Sequence, residues 1–282
     1  MPERKKLVSI YIPTHNRCEL LARALDSALR QTYSPIEIVV CDDGSTDATS
    51  KLMKRYTEAH NNIVYIRLSK VGGACKARNV AISQASGYYI TGLDDDDYFD
   101  KRRVESLVDS YDEKTNSCVC SPIVAFGEEG VIKTVYSRPK SIKLSELLYF
   151  NHIGNQVLTT RSRLIELQAF DENLQSCQDY DMWVRLLDLY GECKRIGEPT
   201  YFMYVGSNHE RITNSNKKST GHRQFLEKHQ IKMSASQKKS FMFFTLLATD
   251  RKLSLAKVIK LLSFPVAHIQ LYSLIRRLIN NG

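Results

Sequence analysis

Apolar residues fall into short runs from the N-terminus onward. Leu7–Ile12 (LVSIYI) is β-branched and stops at Pro13, the mark of a strand buried on both faces. After the polar turn of Thr14, His15, Asn16 and Arg17, Leu21, Leu25 and Leu29 recur every fourth residue beside Ala24 and Ala28, which is a helical period. The unit then repeats. Ile36–Val40 predicts a second strand, and Leu52, Met53 and Tyr56 mark the helix after it. In the CDDGSTD turn between them, Gly44 permits a tight backbone and Ser45, Thr46 or Asp47 supplies a helix cap. Ile63–Leu68 is a third strand, Gly72-Gly73 a break, Ala74–Ser83 a short helix and Tyr88–Leu93 a fourth strand. Strands alternating with helices at this spacing call for a parallel sheet with right-handed crossovers. Its carboxyl edge then collects Pro13 and Thr14, Asp42 and Asp43, and Asp94 and Asp96, and open α/β sheets bind their ligands at that edge.

The rhythm changes beyond Tyr111. Cys118–Ala125 and Val131–Tyr136 flank Gly127–Gly130 and predict a hairpin added to the sheet, while Leu144–Phe150 and Arg161–Gln168 predict short helices around a Val157–Thr160 strand. Gln178–Asp181 opens an amphipathic helix with Met182, Trp183, Leu186, Leu187 and Tyr190 on one stripe, where Trp183 belongs to the core. A short strand at Thr200–Tyr204 precedes Ser207–Arg211. The last stretches, Phe241–Ala248, Leu253–Leu262 and Val266–Ile279, are apolar faces interrupted by basic residues. The expected division is residues 1–215 as an α/β unit, with halves 1–111 and 112–215, and residues 216–282 as a basic helical region.

Charge sharpens that division. The net +9 of the 282 residues suggests a nucleic-acid partner until it is divided along the chain. Residues 1–216 hold 27 Lys/Arg against 29 Asp/Glu, and residues 217–282 hold 13 against 2. The basic residues lack the interleaved aromatics that stack on bases, which argues against a nucleic-acid module. Such a tail fits either an interfacial helix facing acidic headgroups or a helical cap with a solvated face. The seven cysteines are scattered without a CxxC and predict reduced core thiols rather than a zinc site or disulfide framework. Met1–Lys6 is too short and polar for a signal peptide, and no apolar run approaches the ~20 residues of a membrane span. The expectation is a cytoplasmic protein whose membrane contact is peripheral.

Four consecutive carboxylates, Asp94–Asp97, close the fourth strand. Their mutual repulsion is costly unless something positive sits among them, and oxygen-only ligands suit Mg²⁺ or Mn²⁺.

Five landmarks in order, VSIYIPTHNR, CDDGSTD, GGACKARNVAI, GLDDDDYF and QDYDMWVRLL, resemble those of family 2 glycosyltransferases with the GT-A fold, across about Leu7–Arg211. The resemblance implies a Rossmann-like, mostly parallel sheet flanked by helices and an inverting, Mn²⁺- or Mg²⁺-dependent transfer from a UDP-sugar. It implies that Asp43, with Pro13 and Thr14, receives the uracil, that Arg78 lies beside base and phosphates, and that Asp94 and Asp96 form the Asp-x-Asp pair. One acid of that pair faces sugar or ribose and the other the metal. Asp95 fills the variable position, and Asp97 is an alternative in a run whose register is open. Asp179 matches the base that deprotonates the acceptor, kept ionised by a helix N-terminus, with Asp181 as runner-up and Gln178 where the family usually has Glu. His209 matches a late histidine that contacts metal or diphosphate, or is a surface loop residue, and Arg211 could neutralise a phosphate. Short bacterial members of this kind resemble enzymes that extend GlcNAc-diphospho-undecaprenol during O-antigen assembly, with β-1,3-glucosyl transfer the nearest match and galactosyl transfer next. A sugar nucleotidyltransferase would instead carry a glycine-rich phosphate loop where this chain has Pro13-Thr14-His15.

Overall fold

The computed structural model describes residues 5–128, 130–135, 140–205, 215–249, 255–264 and 266–280. Its strands are β1 (Val8–Thr14), β2 (Ile36–Asp42), β3 (Ile63–Arg67), β4 (Tyr89–Gly92), β5 (Tyr98–Phe99), β6 (Cys118–Cys120), β7 (Ile123–Gly127), β8 (Gly130–Val135), β9 (Lys140–Ile142), β10 (Leu158–Thr160), β11 (Cys193–Arg195) and β12 (Tyr201–Tyr204). The helices are α1 (Cys18–Leu29), α2 (Thr49–Ala59), α3 (Ala74–Gln84), α4 (Arg103–Ser110), α5 (Leu144–Leu147), α6 (Arg161–Glu166), α7 (Gln178–Tyr190), α8 (Ser215–His229), α9 (Ala235–Thr249), α10 (Leu255–Leu261) and α11 (Ala267–Asn280).

Eight strands form the main sheet in the order β3-β2-β1-β4-β10-β6-β11-β9, and the four N-terminal ones run parallel. Alternate residues of β1 serve opposite faces, as the two-residue period demands. Val8, Ile10 and Ile12 join Leu21, Leu25, Met53 and Leu107 on one side. Tyr11 joins Ala77, Ile82, Met182 and Trp183 on the other. The expected Trp183 core position holds, and its indole donates to the Gly154 carbonyl at 2.9 Å. All seven cysteines are free thiols, five of them buried.

The hairpin expected as an addition to this sheet lies elsewhere. The Ser121-Pro122 step divides the predicted Cys118–Ala125 strand, so that β6 stays in the main sheet while β7 and β8 pair in a second one, ordered β5-β12-β7-β8. Proline has no N–H for a ladder and forces such a break. The helix after the CDDGSTD turn is capped less directly than expected: Ala48 occupies the cap position, and Asp47 accepts from the Thr49 and Cys18 N–H groups.

The basic C-terminal helices begin as part of the core. Phe225, Met233 and Phe241 join the apolar cluster under α7, with Phe225 stacked on Tyr180 at 4.3 Å and on Phe241 at 4.8 Å. Asp181, considered above as the runner-up base, is fully buried there. It accepts from His229 at 2.8 Å and pairs with Arg185 and Lys228 at 2.9 Å each. It therefore fastens α8 to α7 and has no exposed oxygen to offer an acceptor. Among the described residues no helix is long and apolar enough to cross a membrane.

Burial opposes ionisation of Asp181, but the His229 hydrogen bond and the Arg185 and Lys228 charges outweigh it and hold the carboxyl down at about 2. A depressed carboxyl contributes stability above its unfolded value and loses it as pH falls through the folded one. Unfolding followed by circular dichroism should accordingly show α8 docking weaken between about pH 4 and pH 2. Asp181→Ala should destabilise the chain by about 3–5 kcal/mol at neutral pH, because it strands buried partners.

Candidate active site

Three loops meet at the carboxyl edge of β1, β2 and β4, as the strand spacing predicts. The Asp43 N–H donates to the Thr14 carbonyl at 2.8 Å, tying the β1 and β2 loops together. Pro13 lies inside β1 opposite Cys41. Asp42 is buried and accepts from the Ser45 N–H at 2.8 Å and the Tyr65 hydroxyl at 2.7 Å, which shapes the CDDGSTD turn. The Asp43 carboxylate accepts from the Gly72 and Gly73 N–H groups at 2.6 and 2.7 Å, pinning the loop that leads into α3. Gly73 has a φ of +91°, a conformation that favours glycine.

The four acids after β4 point to four different sets of partners. Asp94 accepts from Arg78 at 2.9 Å and from the Gln156 amide at 3.3 Å. Asp95 accepts from the Thr14 hydroxyl at 2.8 Å and from Arg17 at 3.0 Å. Asp96 shares that Arg17 guanidinium at 2.8 Å. Asp97 is buried, accepting from the Tyr201 hydroxyl at 2.7 Å and the Tyr204 N–H at 2.8 Å. It thereby binds the acidic loop to the second sheet. Burial pushes Asp95 up to about 6 and Asp96 upward too, with Asp94 adding its repulsion to the latter and Arg17 opposing both. Asp97 is raised further by burial and by its acidic neighbours.

Asp179 approaches from the first turn of α7. Arg78 lies 3.8 Å from its Oδ1, and that oxygen is buried without a hydrogen-bond partner among the described residues. Arg78 thus lies between Asp94 and Asp179, over the Phe170 ring. The helix N-terminus does not set the Asp179 carboxyl as expected. Burial raises it to about 6, Arg78 pulls it down, and Asp94 pushes it up. It is ionised above that value and is matched to proton transfer near neutral pH. Cys177, not Asp179, is the cap residue of α7. His209 and Arg211 lie outside the described residues.

The structure gives places at the site to residues that had no expected role there. Gln156, just before β10, accepts from the Tyr11 hydroxyl at 2.8 Å while donating to Asp94. Gly92 leaves room for that pair, since a Cβ there would collide with the Gln156 amide and the Tyr11 ring. Tyr201 comes from β12, about a hundred positions beyond the acids. Arg17 sat in the polar turn after β1, and its proximity to Asp95 and Asp96 follows only from the parallel pairing of β1 with β4.

Among the described residues no three His, Cys, Asp or Glu side chains are arranged as a ligand set. Two partly exposed carboxylates, Asp94 and Asp96, are available, and Mg²⁺-type ions are commonly held by one or two carboxylates with phosphates and water completing the shell. The repulsion that Asp94 exerts on Asp96 and Asp179 is what a cation would relieve. The donor set fits a hard divalent ion.

A mostly parallel sheet flanked by helices, with acids from separate loops at its carboxyl edge, is a fold that glycosyltransferases share. The chain belongs to glycosyl transferase family 2, whose model matches residues 9–172, and it is a glycosyltransferase. It is 36% identical over 274 residues to the putative colanic acid biosynthesis glycosyl transferase WcaA of Escherichia coli K12, covering 91% of this chain and 93% of that one. It is 31% identical over 186 residues to the E. coli UDP-Glc:α-D-GlcNAc-diphosphoundecaprenol β-1,3-glucosyltransferase WfaP, covering 64% of this chain and 70% of that one. Among solved structures, S. aureus TarS 1-349 with UDP-GlcNAc shares the fold at a TM-score of 0.62 and 19% identity, covering 96% of this chain and 88% of that one. Enzymes of this family commonly use divalent metals.

The acids differ in what they support. Asp97→Ala should lower stability by about 1–3 kcal/mol by removing the acceptor of the buried Tyr201 hydroxyl, and Gln156→Leu should do the same through Tyr11. Asp96→Ala should leave the thermal midpoint within a degree or two. Equal midpoints for the Asp96 and Asp97 variants would contradict this division.

Proposed function

We propose that the chain is an inverting, metal-dependent transferase that moves a hexose from a UDP-sugar to GlcNAc-diphospho-undecaprenol during O-antigen repeat synthesis. Glucose in β-1,3 linkage is the best match and galactose the next. The observation that carries this reading is the Asp94–Arg78–Asp179 bridge, which brings an acid of the cluster after β4 and a carboxylate from α7 to one place. The WfaP likeness supports the donor and acceptor class. The WcaA likeness favours a second reading, in which the same chemistry builds an exopolysaccharide.

In this reading Pro13, Thr14 and Asp43 hold the base, Arg78 the phosphate side of the nucleotide, and Asp94 and Asp95 the ribose and donor sugar. Asp96 holds Mn²⁺ or Mg²⁺ with help from Asp94 and His209. The ion, when bound, neutralises charge developing on the diphosphate. Asp179 accepts the acceptor hydroxyl's proton as the oxygen attacks the anomeric carbon on the side opposite the leaving diphosphate. Unlike Asp181, the Asp179 side chain is partly exposed, so an acceptor hydroxyl can reach its carboxylate. Arg78 keeps Asp179 and Asp94 at a fixed separation and moderates their repulsion. The basic C-terminal helices bring the site to the cytoplasmic face of the inner membrane, where a lipid-linked acceptor resides.

Radiolabelled UDP-sugars offered with a GlcNAc-diphosphate lipid and Mn²⁺ should give one labelled product, and linkage analysis identifies donor and bond. Asp179→Asn should keep UDP binding but lower kcat by about 10²–10⁴-fold, and near-normal turnover would exclude it as the base. Asp96→Ala should abolish Mn²⁺-dependent UDP affinity in calorimetry; undiminished affinity would move the metal to another acid.

A further inference from the structure

Helices α9 and α10 enclose an open groove of about 400 Å³, lined by Met242, Thr245, Leu246, Lys257, Lys260 and Leu261. It shares no residue with the carboxyl edge. Its walls are held in place. Val258 of α10 is buried. Ser263 donates to the Ser236 carbonyl at 2.6 Å, and the Gln270 side chain accepts from the Ser263 N–H at 2.8 Å. Ser236 in turn donates to the Phe264 carbonyl at 2.8 Å. This hydrogen-bonded corner presents Phe264 with 89% of its surface exposed, and Ile259 is 59% exposed on α10. Tyr272 and Ile275 are exposed on α11. Lys257 and Lys260 are exposed and form no ion pair among the described residues.

We propose that this groove takes one acyl chain of an anionic phospholipid, with Lys257 and Lys260 meeting the headgroup phosphate at its mouth. The inference rests on the membrane contact in the function proposed above and assigns it a site. Three features point to this occupant. The groove floor is apolar, so it gains by covering a hydrocarbon chain. Its rim is cationic within a region that holds 13 Lys/Arg against 2 Asp/Glu, so an anionic amphiphile complements it where a neutral one does not. The hydrogen-bonded corner holds a phenylalanine out in water, a position that suits insertion among acyl chains.

The test uses the full chain with phosphatidylcholine vesicles, with and without phosphatidylglycerol, doped with a phosphatidylglycerol that carries a diazirine on one acyl chain. Irradiation should place the label on peptides from α9 and α10. Lys257→Glu with Lys260→Glu should lower vesicle partitioning at least about tenfold. Met242→Trp, at an exposed position, should lower groove labelling while vesicle binding persists, a result that surface attraction alone would not give. Labelling spread outside α9 and α10, equal binding to phosphatidylcholine alone, or labelling only by a photoreactive polyprenyl diphosphate would overturn the proposal. Transfer to a water-soluble GlcNAc-diphosphate acceptor, measured in parallel, separates the two readings. Its persistence without groove labelling sinks the lipid site alone, and its absence despite groove labelling sinks the proposed acceptor alone.

Discussion

Four adjacent carboxylates cannot share one environment, and the way this chain separates them organises everything around the site. Asp94 turns toward Arg78 and Gln156, Asp95 and Asp96 toward Arg17, and Asp97 inward to Tyr201 and Tyr204. Two guanidinium groups provide much of the positive charge that the cluster needs. Arg17 comes from the loop after β1 and Arg78 from α3, so the parallel pairing of β1 with β4 and the packing of α3 on the sheet are what bring these cations to Asp94, Asp95 and Asp96. The partly exposed pair, Asp94 and Asp96, is what remains to meet a ligand.

Arg78 has the central place in this arrangement. It is a largely buried cation that contacts two acids and an aromatic ring, and its Nε has no hydrogen bond among the described residues. Guanidinium stays charged under almost any burial, and its fixed fork can hold two carboxylates at a defined spacing. A lysine there would hold neither geometry. The same cation limits how far burial raises Asp179, which leaves that carboxyl able to change protonation near neutral pH.

The first four strands and their helices were legible because each has its own period and its own turn residues, and the converging loops follow from right-handed crossovers. The acids were legible because they are adjacent in the chain. What stayed hidden were partners supplied by remote segments. Gln156 and Tyr201 lie outside any motif, and only the sheet order β1-β4-β10 and the pairing of β12 with β5 bring them to the acids. The inward role of Asp97 could not be separated from the outward roles of its neighbours, since one letter repeated four times carries no direction. The Ser121-Pro122 break was visible in the letters, but its consequence, a second sheet, depends on where β12 docks. Asp181 was plausible as a base from spacing alone, and its burial against His229 and Lys228 comes from a helix some forty residues downstream.

The first turn of α7 holds Asp179 on the site and Asp181 on α8. At about 100° per residue, two positions put these side chains on nearly opposite sides of one helix. The turn works as a short lever with α8 on one arm and the Asp179 carboxylate on the other. The two contacts stand a single helical diameter apart, so a shift in how α8 seats on Asp181 also moves the Asp179 carboxylate against Arg78.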